Sequence, residues 1–245
     1  GYRLLKKGAN LINIGRKKPD FCNKFDDAKF IEADFYSDQS LNKALDLAIL
    51  TFGKVDILIN NSFDFSHKTG FNTNLGRIEN IDKNTFMNGL TSGIYWPTRC
   101  SQVIGEHMKK NKKGNIINIT SLYSFLVPDS RMYDNTDIFN PIIYSLSKHA
   151  TSALTKYLAS FWGPFGIRVN SLSPGTFPNV TQKSKKESPN KVEDDKFLNM
   201  LNNKCVLGRV GTPKDLCSAI EYLCSDKSKY LTGENIVVDG GWSLR

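Results

Sequence analysis

The sequence has few of the residues that build metal sites, disulfide frameworks or membrane spans. It contains three histidines, and none lies at metal-ligand spacing. Its five cysteines are odd in number and include no CxxC pair, which favours a reducing, cytoplasmic setting. No apolar run approaches the roughly 20 residues of a membrane helix, and residues 1–7 lack the apolar core of a signal peptide. We therefore expect no bound metal and no membrane partner.

The charge is unbalanced, because 33 Lys and Arg against 24 Asp and Glu give a net charge of +9. Such an excess raises the question of nucleic-acid binding, but the lysines are scattered along the chain. The densest group, at 109–113, falls where a helix is expected to end, a place that favours cations. We expect no nucleic-acid partner, although a positive field can help to attract an anionic cofactor or substrate.

Strand-like and helix-like segments alternate along the 245 residues. Strands are predicted at 10–14, 30–34, 55–59, 115–119, 167–172 and 236–238. Helices are predicted at 41–50, ending at Gly53, at 85–108 with a break near Gly93 and Pro97, at 144–162, and from Thr212 onward. A polar stretch at 181–196 predicts a solvated loop. Repeated strand–helix units predict one α/β domain over 1–245, a doubly wound, Rossmann-like parallel sheet that binds ligands beyond the carboxyl ends of its strands.

The start of the chain departs from that architecture. A doubly wound nucleotide-binding fold opens with a strand, a glycine-rich turn and a helix. The segment 1–8 (GYRLLKKG) has the pattern of the second half of that helix, so the first strand and the glycine turn are missing from the given chain. Loss of a central strand would leave backbone groups unpaired on both of its neighbours. We expect roughly 20 residues before Gly1 in the natural protein; the alternative, a truncated product, would fold poorly.

The most specific pattern is a set of short motifs in a fixed order. Tyr144 and Lys148, four positions apart, share one face of a predicted helix. A strand ending in NITS at 118–121 precedes them, and the segments 167–175 (IRVNSLSPG), 207–209 (LGR) and 232–242 (TGENIVVDGGW) follow. A Tyr–Lys pair alone is a weak signal. The ordered set, however, resembles the short-chain dehydrogenase/reductase family over essentially the whole chain.

That resemblance implies an oxidoreductase that interconverts a carbonyl and an alcohol on a small molecule. It implies that Tyr144 is the catalytic acid/base, that Ser121 positions the substrate oxygen, and that Lys148 lowers the pKa of Tyr144 and holds the nicotinamide ribose. A unit charge about 4 Å away, at a dielectric near 20, is worth roughly three pKa units, enough to bring a phenol near working pH. The cofactor contacts that it implies are Tyr144, Lys148, Asp34, Asn60, Asn61, Pro174 and Gly175.

The residues that follow the first predicted strand bear on the choice of cofactor. In dinucleotide folds an acid after the second strand binds the ribose 2′-hydroxyl of NAD(H), whereas a basic residue favours the 2′-phosphate of NADP(H). Because the family's first strand is missing here, the first predicted strand of this chain takes the place of the family's second strand. The residues that follow it are two cations, Arg16 and Lys17. Because a guanidinium suits a phosphate well, the sequence predicts NADP(H) over NAD(H). In the alternative, Arg16 only stacks on the adenine.

Two positions depart from the family pattern. Phe63 stands where the family's Asn-Asn turn ends in Gly, which crowds a backbone expected to lie near the cofactor. Leu90 stands where many members carry a catalytic Asn, three residues before Gly93. Asn88 is close in sequence, but an offset of two positions turns it about 200° around a helix. The role of that catalytic Asn is therefore not assigned to this chain.

An insert separates two of the candidate catalytic residues. Ser121 and Tyr144 are 23 positions apart, which is long for the family, so 128–141 is expected to form a loop beside the substrate. With Tyr123, this insert weakly resembles the branch of bacterial flagellin and surface-sugar modification oxidoreductases. A polar, sugar-like substrate is favoured by the polar residues of the insert: Asp129, Ser130, Arg131, Asp134 and Asn135.

The leading hypothesis is thus an NADP(H)-dependent reductase, or the reverse dehydrogenase, acting on a polar carbonyl or alcohol. One alternative is a 3-oxoacyl-carrier-protein reductase, whose basic surface would meet an acidic carrier. Another is a catalytically weak dinucleotide-binding paralogue, a sensor or subunit, which Phe63 and Leu90 motivate. The resemblance also implies a homo-oligomer, a tetramer or dimer, that packs the helices at 85–108 and 144–162; their apolar faces fit a buried core equally well.

Overall fold

The computed structural model describes residues 1–133, 139–178 and 195–244, with the backbone alone for residues 195 and 196. Within these residues, six parallel strands form two sheets. In the first sheet, β1 (Leu11–Gly15) pairs with β2 (Ala28–Glu32). In the second, the order is β3 (Ile57–Asn60), β4 (Gly114–Ile119), β5 (Ile167–Pro174) and β6 (Asn235–Val238). The predicted Rossmann-like α/β fold is confirmed, although β2 begins two residues earlier than predicted.

The described residues also contain seven α-helices: α1 (Tyr2–Leu5), α2 (Asp38–Phe52), α3 (Lys83–Leu90), α4 (Trp96–Lys110), α5 (Ile142–Trp162), α6 (Asp195–Lys204) and α7 (Cys217–Cys224). α2 ends, as predicted, at a left-handed Gly53 with φ of 72°. The helix predicted from Thr212 begins instead at Cys217. The Asp215 carboxylate accepts hydrogen bonds from both the backbone N and the hydroxyl of Thr212, at 2.8 Å each, which closes a separate turn before the helix.

Helices cover both faces of the larger sheet. Ile116 of β4 is fully buried in a cluster with residues of α2, α4 and α5, including Leu45, Ile104 and Leu158. The next residue, Ile117, points to the opposite face and packs in a cluster with α7. Successive strand residues alternate between faces, so β4 contributes apolar side chains to both faces and sits in the middle of the core. This burial fixes the carboxyl end of β4, where the candidate site begins.

The long helix predicted at 85–108 is interrupted, as expected, near Gly93. A single π-helical turn, Thr91–Tyr95, joins α3 to α4. α5 supplies hydroxyl donors to this region, because Thr151 Oγ1 donates to the Gly93 carbonyl at 2.9 Å and Ser147 Oγ to the Gly89 carbonyl at 3.3 Å. A side chain at Gly93 would collide with Ser147. The π turn therefore lets α5 approach closely, and α5 carries the candidate catalytic residues.

Two further features of the described residues bear on function. None of their helices is long and apolar enough to cross a membrane. Among them, no group of three or more His, Cys, Asp or Glu side chains could hold a metal ion. Residues 181–194 of the predicted polar loop, together with Asp134 and Asn135 of the insert, lie outside the described residues, and α6 begins within the last part of that loop.

Candidate active site

Three predicted catalytic residues meet at the end of β4. Ser121 lies two residues beyond the end of β4, and its hydroxyl hydrogen-bonds the phenol of Tyr144 on α5. Lys148, one turn further along α5, is only 6% exposed, and its Nζ donates to the Ile119 carbonyl at 2.9 Å. We call these candidate catalytic residues, Ser121, Tyr144 and Lys148, the trio. The i, i+4 spacing on α5 and the strand end of β4 are sufficient to bring them together.

Burial governs the charges of the trio. It raises the pKa of Tyr144, although the hydrogen bond from Ser121 opposes the shift in part. It lowers the pKa of Lys148 to about 8, since apolar surroundings disfavour the ammonium. The expected lowering of the Tyr144 pKa by Lys148 is therefore not seen in this structure. The ammonium is directed at the Ile119 carbonyl, 5.4 Å from the centroid of the Tyr144 ring, and is itself partly neutral near pH 8.

Aromatic rings surround Tyr144 on its other sides. The ring centroids of Phe63, Phe71, Phe65 and Tyr123 lie 5.1, 5.4, 5.9 and 6.5 Å from its own. These distances fall in or near the range of favourable aromatic pairs, mostly edge to face. We call these four residues the aromatic wall. The sequence indicated only that Phe63 was unusual; Phe71 comes from a separate loop, and no periodic pattern predicts its position.

A buried amide network supports the end of β3. Asn118 is fully buried, accepts a hydrogen bond from Asn60 Nδ2 at 2.8 Å and donates to Thr155 Oγ1 at 2.9 Å. The same Asn60 nitrogen lies 3.0 Å from the hydroxyl of Ser101 on α4. The network ties β3, β4, α4 and α5 together. Of the two predicted cofactor asparagines, Asn60 is thus directed into the interior, whereas Asn61 is exposed.

The other predicted cofactor residues lie at the carboxyl ends of strands. Arg16 and Lys17 follow β1 and are exposed, and the exposed Asp34 follows β2, where its Oδ1 accepts from the backbone N of Tyr36 at 3.0 Å. Pro174 ends β5, and the backbone N of Gly175 donates to the Val238 carbonyl at 2.9 Å. Parallel strands place all these ends on one edge, beside the trio, where a crevice for a dinucleotide is expected.

A carboxylate that the sequence did not single out lies beside Arg16. Asp64, four residues beyond β3, is 3% exposed, and its Oδ2 accepts from the Tyr36 hydroxyl at 2.8 Å. Its Oδ1 lies 3.9 Å from Arg16 Nη2. We call Arg16, Tyr36 and Asp64 the Arg16 corner. Its three residues are far apart in sequence, and only the meeting of three strand ends brings them together.

The structure also shows the contacts of Asn88 and of the described part of the insert. Asn88 donates its amide to the Lys68 carbonyl at 3.2 Å, so it is engaged away from the trio, as its helical offset predicted. In the insert, Arg131 makes two 2.9 Å contacts to Asp129, and Lys204 of α6 approaches the same carboxylate at 3.2 Å. The polar insert residues in the described part therefore pair largely with one another and with α6.

Comparison with known proteins identifies the family. A family model described as enoyl-(acyl carrier protein) reductase matches residues 3–243. The chain belongs to the short-chain dehydrogenase/reductase family. The post-translational flagellin modification protein A of Campylobacter coli, to which it is similar, is 28% identical over 216 residues, which cover 87% of this chain and 77% of that protein. The predicted family and the prediction of an oxidoreductase are confirmed.

Solved structures agree with the fold. A gluconate 5-dehydrogenase from Burkholderia cenocepacia, in complex with NADP and tartrate, has a TM-score of 0.81 at 23% identity. The match covers 100% of this chain and 89% of the dehydrogenase chain. A short-chain dehydrogenase from Leptospira borgpetersenii with bound NAD+ has a TM-score of 0.78 at 26% identity, with coverage of 98% and 85%. The short-chain dehydrogenase/reductase fold is thus shared, while these two proteins carry different dinucleotides.

Proposed function

We propose that this protein is an NADP(H)-dependent oxidoreductase that interconverts a carbonyl and an alcohol, with Tyr144 as general acid and base. The observation that carries the proposal is the meeting of the Ser121 hydroxyl, the Tyr144 phenol and the Lys148 ammonium at the end of β4. A hydroxyl donor and a protonated phenol beside each other suit a reaction in which a carbonyl oxygen gains negative charge and then a proton.

The residues present fit a nicotinamide dinucleotide. Lys148 carries three N–H donors, and Ile119 takes one of them, which leaves donors for ribose hydroxyls. When bound, the cofactor supplies or accepts the hydride. In reduction, Ser121 donates a hydrogen bond to the developing oxyanion, and Tyr144 delivers the proton to the same oxygen. The raised pKa of Tyr144 keeps the phenol protonated before the reaction, which suits the direction of carbonyl reduction.

The preference for NADP(H) rests on the Arg16 and Lys17 side chains. Both are exposed after β1, at the point where the ribose 2′ position is expected, and a guanidinium binds phosphate through parallel N–H bonds. Asp34, Asn61, Pro174 and Gly175 remain the proposed contacts along the rest of the crevice, whereas Asn60 would act by holding the turn in place. The proposed setting is cytoplasmic.

The proposed substrate is polar and sugar-like, with an apolar ring face. The rings of the aromatic wall lie beside Tyr144, and Phe65 of this wall is 51% exposed, so it is available to a ligand. The insert adjoins this wall through Tyr133, whose hydroxyl lies 3.4 Å from the Tyr123 hydroxyl, and these two phenols favour hydroxyl groups on the substrate. A substrate ring with hydroxyl groups on its rim would pack its face on the aromatic wall and direct its hydroxyl groups to the adjoining polar groups.

Two alternatives remain as rival proposals. The acyl-carrier reductase is favoured by the excess of basic residues. The weak paralogue is favoured by the Phe63 ring, whose centroid lies 5.1 Å from that of Tyr144 and 5.6 Å from the Lys148 Nζ. Oxidation of NADPH should be followed with hydroxylated cyclic ketones, keto sugars and an acetoacetyl thioester. Turnover on the first two groups supports the proposal. Faster turnover of the thioester supports the acyl reductase, and tight NADPH binding with no turnover on any of them supports the paralogue.

A further inference from the structure

The Arg16 corner places a fixed negative charge next to the cation that the proposed function assigns to a phosphate. The Asp64 carboxylate is 3% exposed, whereas the Arg16 side chain is 62% exposed, so the acid is part of the rigid wall and the cation extends from the surface. Their nearest charged atoms are 3.9 Å apart. That is an ion pair without a short hydrogen bond, and Arg16 therefore keeps donors for another anion.

Asp64 is held in one position by neutral donors. The Tyr36 hydroxyl donates to Oδ2 at 2.8 Å, and the backbone N of Ser66 donates to Oδ1 at 3.0 Å. The Thr69 hydroxyl donates to the backbone carbonyl of Asp64 at 2.6 Å. Burial acts to raise the pKa of Asp64, but the bonds from Tyr36 and Ser66, with the charge of Arg16, outweigh it and leave that pKa below its usual value. The carboxylate is thus ionised at neutral pH.

An ionised carboxylate at this place opposes a second anion on Arg16. A 2′-phosphate bound to the guanidinium would lie within about one Debye length of Asp64, some 8 Å at physiological ionic strength, so the repulsion is only partly screened. A 2′-hydroxyl carries no charge and meets no such repulsion. The same carboxylate therefore disfavours NADP(H) selectively.

We propose that Asp64 is a specificity-determining residue, which limits the preference for NADPH over NADH that Arg16 would otherwise give. This inference rests on the proposed function, since it assumes a dinucleotide in the crevice. The carboxylate of Asp64 and the 2′-phosphate are both anions that can bind the Arg16 guanidinium, and they compete for it. At a surface site of this kind the competition amounts to about a tenfold change in the NADPH dissociation constant.

The test is a fluorescence titration of the full protein with NADPH and NADH. Asp64→Asn keeps the shape of the side chain and removes its charge. Asp64→Ser also removes the charge, with a smaller side chain, and serves if the first variant folds poorly. Both should lower the dissociation constant of NADPH about tenfold and change that of NADH less than twofold. In the Arg16→Gln background, Asp64→Asn should have less than half of this effect on NADPH, expressed as the logarithm of the fold-change, because the 2′-phosphate is no longer held beside Asp64.

A matched control is Glu221→Gln. Glu221 pairs with Arg3 and Lys7, at 2.6 and 3.6 Å, so its loss removes the same charge from an Arg-bound carboxylate outside the Arg16 corner. It should leave both dissociation constants unchanged. An unchanged or weaker NADPH affinity in the two Asp64 variants would overturn the inference alone. Binding of neither dinucleotide by the wild type would overturn the proposed function and this inference with it.

Discussion

Burial disfavours charge at both ends of the crevice, but only at one end does it shift the buried group toward its neutral form. At the trio, few polar partners surround the ammonium of Lys148, and burial lowers its pKa to about 8. At the Arg16 corner, Asp64 is also shielded from solvent but receives bonds from Tyr36 and Ser66, and its pKa falls although burial alone would raise it. Donors are in place for both oxygens of Asp64, whereas the Lys148 ammonium donates to the Ile119 carbonyl, faces the rings of Phe63 and Tyr144 and is more deeply enclosed. A buried charge persists where hydrogen-bond partners of the right kind are in place and weakens where aromatic rings replace them.

The largest effect is expected at the trio, from Tyr144→Phe. The change removes the only proton that the proposed mechanism delivers to the substrate oxygen, so kcat should fall about 10³-fold while NADPH binding changes little. Steady-state rates and a fluorescence titration measure the two quantities. Tyr123→Phe is the matched control, because its ring lies in the same wall and its hydroxyl faces Tyr133. Equal losses in both variants would show that the wall, and not the phenol of Tyr144, carries the chemistry.

Next in size is the effect of pH on stability through Lys148. Its pKa is about 8 when folded and 10.5 in its ordinary state, so the folded protein binds fewer protons than the unfolded chain between these values. The free energy of unfolding contributed by this group therefore rises with pH from 8 to 10.5, and the full cost, about 3 kcal/mol, applies below pH 8. Lys148→Met should be more stable than the wild type at pH 7 by about that amount.

Urea unfolding at pH 7 and pH 10.5 tests this expectation. The advantage of Lys148→Met over the wild type should shrink toward zero at the higher pH. Lys156→Met, an exposed lysine of the same helix, should show no such pH-dependent difference and corrects for the titration of other groups. A constant difference between wild type and Lys148→Met at both pH values would mean that folding does not lower the pKa of Lys148, and the comparison of the two ends would fail.

A smaller loss is expected in the amide network behind the trio. Asn118→Leu leaves the Asn60 amide without its 2.8 Å acceptor and Thr155 without its 2.9 Å donor in a fully buried place. Because Asn60 also contacts Ser101, part of the loss is offset, and we expect the free energy of unfolding to fall by about 2 kcal/mol. Urea unfolding measures it. Asn111→Ala, at an exposed helix end, should change stability by less than about 0.5 kcal/mol.

The comparison also explains how far the sequence could predict the site. The trio depends on local rules, since Tyr144 and Lys148 are four apart on one helix and Ser121 follows a strongly apolar strand. The fold depends on repeated units that leave clear periodic signals. The contact between Tyr36 and Asp64 joins residues 28 positions apart across two strand ends, and side-chain direction there depends on packing that no local pattern contains. The predicted start of α7 at Thr212 was wrong. The hydroxyl of Thr212, which was expected to cap the helix, donates instead to Asp215 and closes a separate turn before the helix.

The smallest expected effect concerns assembly rather than chemistry. On the outer side of α5, Tyr157 and Phe161 stack at 4.3 Å between ring centroids, and each is 58% exposed. The inner side of the same helix carries the trio, so a partner that covers the outer side would also stiffen the catalytic helix. Exposed aromatic pairs of this kind are enriched at protein interfaces. We expect a homo-oligomer, a dimer or tetramer, that uses this face.

Light scattering at micromolar concentration checks the expectation with the variant Tyr157→Ser/Phe161→Ser. The wild type should have the mass of a dimer or tetramer, and the variant should shift to smaller species with a modest loss of activity, because the trio itself is intact. Leu50→Ser, which removes a single 76% exposed apolar side chain from α2, should leave the mass unchanged. A wild type that is monomeric, or a variant with unchanged mass, would mean that the aromatic pair is a solvated surface, and that burial of the inner face alone fixes the position of Tyr144 and Lys148.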